Sequence, residues 1–148
     1  MKHPKEEKTF IILKPDTIQR SLVGNIINRF EKTGLKIVHM EMKVLDADRL
    51  WKHYDKDEKW FQEKGNVSIE SRKQAGLPIE KEAIDYGKDI IQGLVSFMTA
   101  SPVVVMVVEG NSAVGIVKKL VGSTEPLTSD IGTIRGDLTI DSYNLSNS

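Results

Sequence analysis

The sequence predicts an α+β sandwich of the ferredoxin-like kind, an antiparallel sheet with helices packed on one face. Three observations carry that expectation. Short β-rich runs alternate with helical stripes in the order strand, helix, strand, two helices, strand, helix. Val103-Val104-Val105-Met106-Val107-Val108 is apolar on both alternating faces, as a buried central strand requires. Glycines and prolines punctuate these segments where the periodicity changes.

Thr9-Phe10-Ile11-Ile12-Leu13 reads as a strand that stops at Lys14-Pro15-Asp16, because proline cannot extend a central strand. Leu22, Val23, Ile26, Ile27 and Phe30 share one helical face, and Gly34 is placed to end that helix. From Leu35 to Leu45 the period falls to two, with Val38, Met40, Met42 and Val44 on one face of a second strand. Asp46 is an N-cap for a short helix through Leu50, Trp51 and Tyr54. Residues from about 55 to 86 are rich in Lys, Glu, Asp, Gly and Gln, and read as a partly helical insert within a single 1–148 domain. Ile90, Ile91, Leu94, Val95 and Met98 form another helical face, and Ala113, Val114, Val117, Leu120 and Val121 a third, ended by Gly122. The remainder is loop-like, with a final strand expected near Leu138 to Ile140.

At 148 residues, 39% hydrophobic and 28% charged, the chain is long and apolar enough to bury a core. Its 21 basic and 21 acidic residues balance, so no global positive field favours nucleic acid and any anion site must be built locally. There is no cysteine, which excludes disulfides and thiolate-bound metals. Neither a signal peptide nor a membrane span is expected, and the reading is a soluble cytoplasmic domain.

The glycine-rich nucleotide signatures are absent, so a phosphate site would have to be assembled from scattered side chains. Lys14 sits at the end of an apolar strand before a rigid turn, where a cation is held at little entropic cost. Taken alone it reads first as a solvated strand-end lysine. In Gly132-Thr133-Ile134-Arg135-Gly136-Asp137 two glycines flank an arginine and an aspartate follows; the arginine fork suits a phosphate, and an Arg135–Asp137 pair within the loop is the plainer alternative. Thr124, in a turn between Gly122 and Pro126, offers a hydroxyl, while Lys118 reads as an exposed helix lysine.

In combination these segments resemble a known family. Phe10-Ile11-Ile12-Leu13-Lys14-Pro15-Asp16-Thr17-Ile18-Gln19-Arg20 is similar to the opening strand and turn of nucleoside diphosphate kinases. Ser101-Pro102 with the valine run resembles that family's central strand, and Leu120-Val121-Gly122-Ser123-Thr124-Glu125-Pro126 with Gly132 to Asp137 its phosphate-binding region. The resemblance implies transfer of a γ-phosphoryl group from a nucleoside triphosphate to a nucleoside diphosphate through a phosphohistidine, with Mg²⁺ held through the nucleotide phosphates and no metal ligand from the protein. It implies that Lys14, Thr124 and Arg135 bind phosphate and that Tyr54 is an active-site tyrosine. It also implies a homo-oligomer, a dimer built into a tetramer or hexamer.

Three departures qualify this reading. Lys118 stands where the family has an arginine, keeping the charge but losing the fork. Ile90 aligns with the family's base-stacking phenylalanine, and Trp60-Phe61 in the insert is an alternative platform. No nucleophilic histidine follows the Arg-Gly-Asp stretch: the chain reads Leu138-Thr139-Ile140-Asp141-Ser142-Tyr143-Asn144-Leu145-Ser146-Asn147-Ser148. His3 lies in a polar terminus, His39 on the polar face of the second strand, and His53 beside Tyr54. The expectation is a shortened working kinase whose histidine lies in further sequence. A nucleotide-binding pseudoenzyme or a regulatory module is the competing reading.

Overall fold

The computed structural model describes residues 4–139, which divide into two compact units, one formed by residues up to 43 and from 102 onwards, the other by residues 44–101. In the first unit, β1 (Glu6–Leu13), β2 (Lys36–Lys43) and β3 (Val103–Asn111) form an antiparallel sheet in the order β1-β3-β2. The valine-rich strand is central, as its two apolar faces require: Val103, Met106 and Val108 are fully buried. Ile11 pairs with Met106 and Leu13 with Val104, which puts alternate residues of both strands on one face. That face packs with Ile26 and Phe30 of α2 (Val23–Glu31), Ala113 of α6 (Ala113–Val121), and Leu35 and Ile134 into one apolar cluster. Burying a side chain the size of Phe30 or Met106 contributes about 1.5–3 kcal/mol.

Helix boundaries follow local chemistry. A short α1 (Pro15–Gln19) begins on proline, whose missing N–H is no loss at a first helical position. Gly34, at φ +84°, supplies the left-handed residue beyond α2. α6 starts after Ser112, itself left-handed at φ 57°, and its first turn is capped by the Glu7 carboxylate of β1, which accepts from the Val114 N–H at 3.0 Å. An anion at a helix start is favoured by the orphan N–H groups and the dipole.

Two expectations change here. The alternation in β2 is interrupted: Ile37 pairs with Val108 but His39 with Val107, leaving Val38 as an extra residue in a bulge. Met40 and Met42 then pair opposite Met106 and Val104, yet remain 54% and 60% exposed because β2 is an edge strand of this sheet. Leu138 is helical, closing α7 (Ile134–Leu138), where a strand was expected; Ile140 lies outside the described residues. Thr133 caps α7 by accepting from the Gly136 N–H at 3.0 Å, and that cap diverts the chain from an extended path.

The second unit is helical: α3 (Ala47–His53), α4 (Glu58–Gln74) and α5 (Ala83–Thr99). Asp46 caps α3 as the sequence predicts, accepting from the Arg49 N–H, and Asp57 caps α4 in the same way through Trp60. α5 buries Ile91, Val95 and Met98 of its predicted stripe, while Ile90 turns outward and is 42% exposed. α4 and α5 approach through glycine. A Cβ on Gly65 would lie 1.5 Å from the Ala83 carbonyl oxygen, and one on Gly87 2.1 Å from that of Phe61. No helix of the described residues is long and apolar enough to cross a membrane.

Candidate functional site

In the first unit, Lys14 sits at the step from β1 into α1, directly after Leu13, whose pairing with Val104 ties that strand end to the centre of the sheet. The sheet therefore fixes the lysine backbone, and the rigid Pro15 sets its exit. Lys14 lines a cavity of about 110 Å³ whose floor is the apolar core, including Leu13 and Phe30. Among the described residues, the charged ones on its wall are Lys14 before α1, Asp16 within it, Arg20 at its C-terminal cap, and Arg135 from α7. Residues 121 positions apart in sequence thus share one recess, which sequence order alone does not show.

Lys14 holds its proton less firmly than an ordinary lysine. Burial is the largest cause, repulsion from the Arg135 guanidinium adds to it, and Asp16 opposes both. Since the folded-state value lies below the unfolded one, the unfolded chain binds more protons between the two values, and stability rises with pH across that interval. Lys14→Met is expected to abolish this rise, measured by denaturant unfolding at several alkaline pH values. A constant difference between parent and variant throughout would refute the buried-cation account.

Arg135 does not pair with Asp137 as its loop suggests. Its guanidinium donates through Nη1 to the carbonyls of Gly122 at 3.3 Å and Ser123 at 3.2 Å, fastening α7 to the turn that carries Thr124. Asp137 engages Arg29 of α2 at 2.9 Å and accepts from the Gly132 N–H at 2.8 Å. Gly132-bond formation first, then Arg29, holds its carboxyl below the usual carboxylate range. The closeness of these segments explains their glycines. Gly122 has φ +92° and a Cβ there would meet Thr133 Oγ1 at 2.7 Å, while a Cβ on Gly136 would lie 2.0 Å from the Asp130 carbonyl oxygen.

Thr124 is exposed immediately beyond the carbonyls that Arg135 holds. Lys118 is exposed in the last turn of α6, as the sequence suggests, where its charge suits the helix C-terminus. In the second unit, Tyr54 is the C-cap residue of α3, half-buried, with its ring edge-on to His53 at 4.9 Å. Ile90 borders a surface recess with Arg72, Lys81 and Tyr86. The alternative platform, Trp60, is half-buried on α4, with the ammonium groups of Lys56 and Lys64 5.5 and 5.9 Å from its ring centre. His39 is exposed beside Glu41, Nε2 to carboxylate 3.5 Å.

Sequence reasoning missed Arg29 and Asp16. Arg29 reads as an ordinary basic residue in the last turn of a helix, and its partner lies 108 positions away, beyond any local signal.

Comparison with known proteins adds an independent line. The family model described as nucleoside diphosphate kinase matches residues 7–91 and 81–147. A nucleoside diphosphate kinase of Pyrobaculum aerophilum is 44% identical over 145 residues, spanning 95% of this chain and 79% of that protein. The crystal structure of an NDP kinase from Pyrobaculum aerophilum superposes with a TM-score of 0.79 at 43% identity, covering 95% of this chain and 80% of the other. A nucleoside-diphosphate kinase from Borrelia burgdorferi, solved as a transition-state mimic with vanadate and ADP, gives a TM-score of 0.72 at 33% identity over 98% of this chain and 73% of that one.

Proposed function

The chain belongs to the nucleoside diphosphate kinase family, enzymes that pass a phosphoryl group between nucleoside tri- and diphosphates, and on that premise we propose how its own residues hold the nucleotide. Lys14, Thr124 and Arg135 bind the phosphates and Lys118 adds charge; Tyr54, as an active-site tyrosine, and Ile90, at the base-stacking position, are proposed on the family resemblance alone. The single observation behind this is that Lys14 and Arg135 line one recess, two cations kept together against their mutual repulsion. A phosphate bound beside them would offset that repulsion, adding to what Asp16 already supplies. The same contacts strengthen as charge grows on the transferring group.

Among the described residues, no three His, Cys, Asp or Glu side chains gather to hold a metal ion. The donors in the recess are cations and hydroxyls, which suit phosphate oxygens, so Mg²⁺ is proposed to enter on the nucleotide and to neutralise phosphate charge there. The relative from Borrelia burgdorferi holds ADP, which supports a nucleoside diphosphate as the ligand here. A cytoplasmic homo-oligomer built on dimers completes the proposal, and the exposed methionines of the β2 edge support a further copy as neighbour.

None of His3, His39 or His53 is assigned as the phosphoryl carrier. His39 is exposed on a sheet edge beside a carboxylate, and His53 packs its ring on Tyr54. Titration calorimetry of the 148-residue chain with ADP and Mg²⁺ is expected to show saturable heat, and labelled ATP to leave no acid-labile label on the protein. Absence of any heat would remove the nucleotide site, and label recovered on His53 would overturn the exclusion of these histidines.

A further inference from the structure

The loop that presents Arg135 is closed by a second, separate set of contacts. Asp137 uses both carboxylate oxygens: Oδ1 accepts from the Gly132 N–H at 2.8 Å, and Oδ2 accepts from Arg29 Nη2 at 2.9 Å. Arg29 uses both arms of its fork: Nη2 reaches Asp137, and Nη1 reaches the Gly132 carbonyl at 3.5 Å. Gly132 is therefore gripped at its N–H by one residue and at its carbonyl by the other. Its φ of +96° is open to glycine without steric cost, and because glycine leaves many other conformations open too, the grip narrows a backbone that would otherwise be free to vary. Both side chains are three-quarters buried, 23% and 27% exposed, where a charge-assisted fork is stronger than on open surface.

The placement matters more than the bond strength. Arg29 lies in the last turn of α2, which is anchored in the core through Ile26 and the fully buried Phe30. The clamp ties residues 132 and 137, and Arg135 lies between them. From there Arg135 reaches back to Gly122 and Ser123, beside Thr124. A rigid helix thus connects through two ions and one glycine to the arginine, and through the arginine to the threonine turn.

We propose that Arg29 and Asp137 are positioning residues for nucleotide binding, acting through Arg135: the Arg29–Asp137–Gly132 clamp holds the loop so that the arginine fork meets a phosphate already oriented. Neither touches the nucleotide. This rests on the reading of Arg135 as a phosphate ligand. It differs from simple stabilisation of the fold, because its effect on binding must vanish when Arg135 is absent.

A double-mutant cycle separates the two. Asp137→Asn keeps the shape but removes the charge, and is expected to weaken ADP–Mg²⁺ binding about tenfold, as for loss of a charged hydrogen bond that orients a ligand group. In an Arg135→Ala background the same substitution is expected to change the affinity by less than about twofold. Arg29→Lys keeps the charge without the two-armed fork and is expected to fall between the parent and Asp137→Asn. Equal effects of Asp137→Asn in both backgrounds, or none in the parent, overturn the proposal. Amide exchange at Gly132 reads the clamp without nucleotide: it is expected to accelerate at least about tenfold in both Asp137→Asn and Arg29→Lys. Unchanged exchange in both variants refutes the clamp even if the parent chain binds ADP. A parent that binds no ADP, with exchange accelerated as expected, refutes the nucleotide site while leaving the clamp's geometry standing and its positioning role refuted with the site.

Discussion

Gly65→Ala and Gly87→Ala are each expected to destabilise the protein by about 3 kcal/mol, because the added carbon meets a backbone oxygen and not a side chain that can turn aside. The positions are 1.5 Å from the Ala83 carbonyl oxygen and 2.1 Å from that of Phe61, far inside contact distance. Only separation of α4 from α5 relieves them, and this exposes what the pair buries, including Tyr86, whose hydroxyl accepts from the Glu80 N–H and whose ring lies under Arg72 at 5.0 Å. The sign is the informative part. Alanine in a helix interior is ordinarily better than glycine by about 0.5–1 kcal/mol. Gly93, in the same α5, has nothing within 4 Å of where a Cβ would sit, and Gly93→Ala is expected to stabilise by that ordinary amount. Urea unfolding of the three variants is the measurement. Gly65→Ala and Gly87→Ala proteins as stable as the parent would contradict the close approach.

The second large effect is on binding. Arg135→Ala is expected to weaken ADP–Mg²⁺ association by at least about 1.5 kcal/mol, more than tenfold in affinity, since a charged donor is lost from a partly buried site. Two further losses accompany it: the turn before Thr124 loses the hydrogen bonds at Gly122 and Ser123, and Lys14 loses a repelling neighbour. The latter raises the Lys14 proton affinity back toward its ordinary value, so the variant is expected to keep its residual binding to higher pH than the parent does. Calorimetry across neutral and alkaline pH would show both. Unaltered affinity at neutral pH would remove Arg135 from the site.

Much of the fold was legible in periodicity and punctuation. The central strand announced itself because six consecutive apolar residues have no solvent face, and Asp46 and Gly34 stood where a cap and a left-handed residue were needed. The bulge at Val38 was not legible, since a register shift is decided by the partner strand and not by the alternating sequence that slips. Leu138 misled because a hydrophobic residue after an Arg-Gly-Asp turn suits a strand as well as a short helix, and the Thr133 cap decides between them.

The candidate site divides in the same way. Lys14 was locatable because strand end and proline coincide, and Arg135 because glycines bracket it; their shared recess is a tertiary fact. The alternative reading of the loop, an Arg135–Asp137 pair, failed for a geometric reason. Each side chain found a partner presented by a distant segment, the arginine two carbonyls and the aspartate a guanidinium with an N–H, and those multiple contacts outcompete one flexible pair two residues apart.

The pairing of β1 with β3 joins Glu6 to Asn111 and Leu13 to Val104, so the sheet closes only after most of the chain has been made. β2 meets the same strand across residues 44–101, the whole helical unit. Closing so long a loop as loose chain carries an entropic penalty that grows slowly with length, about 0.6 kcal/mol per doubling. Local helix–helix contacts form much faster than distant strand pairs. A hairpin of α4 and α5 formed before the strands pair would shorten the effective tether between β2 and β3, which links the glycines that let those helices touch to the completion of the sheet. In refolding experiments Gly65→Ala should accordingly slow the appearance of the sheet itself, although Gly65 lies in none of its strands.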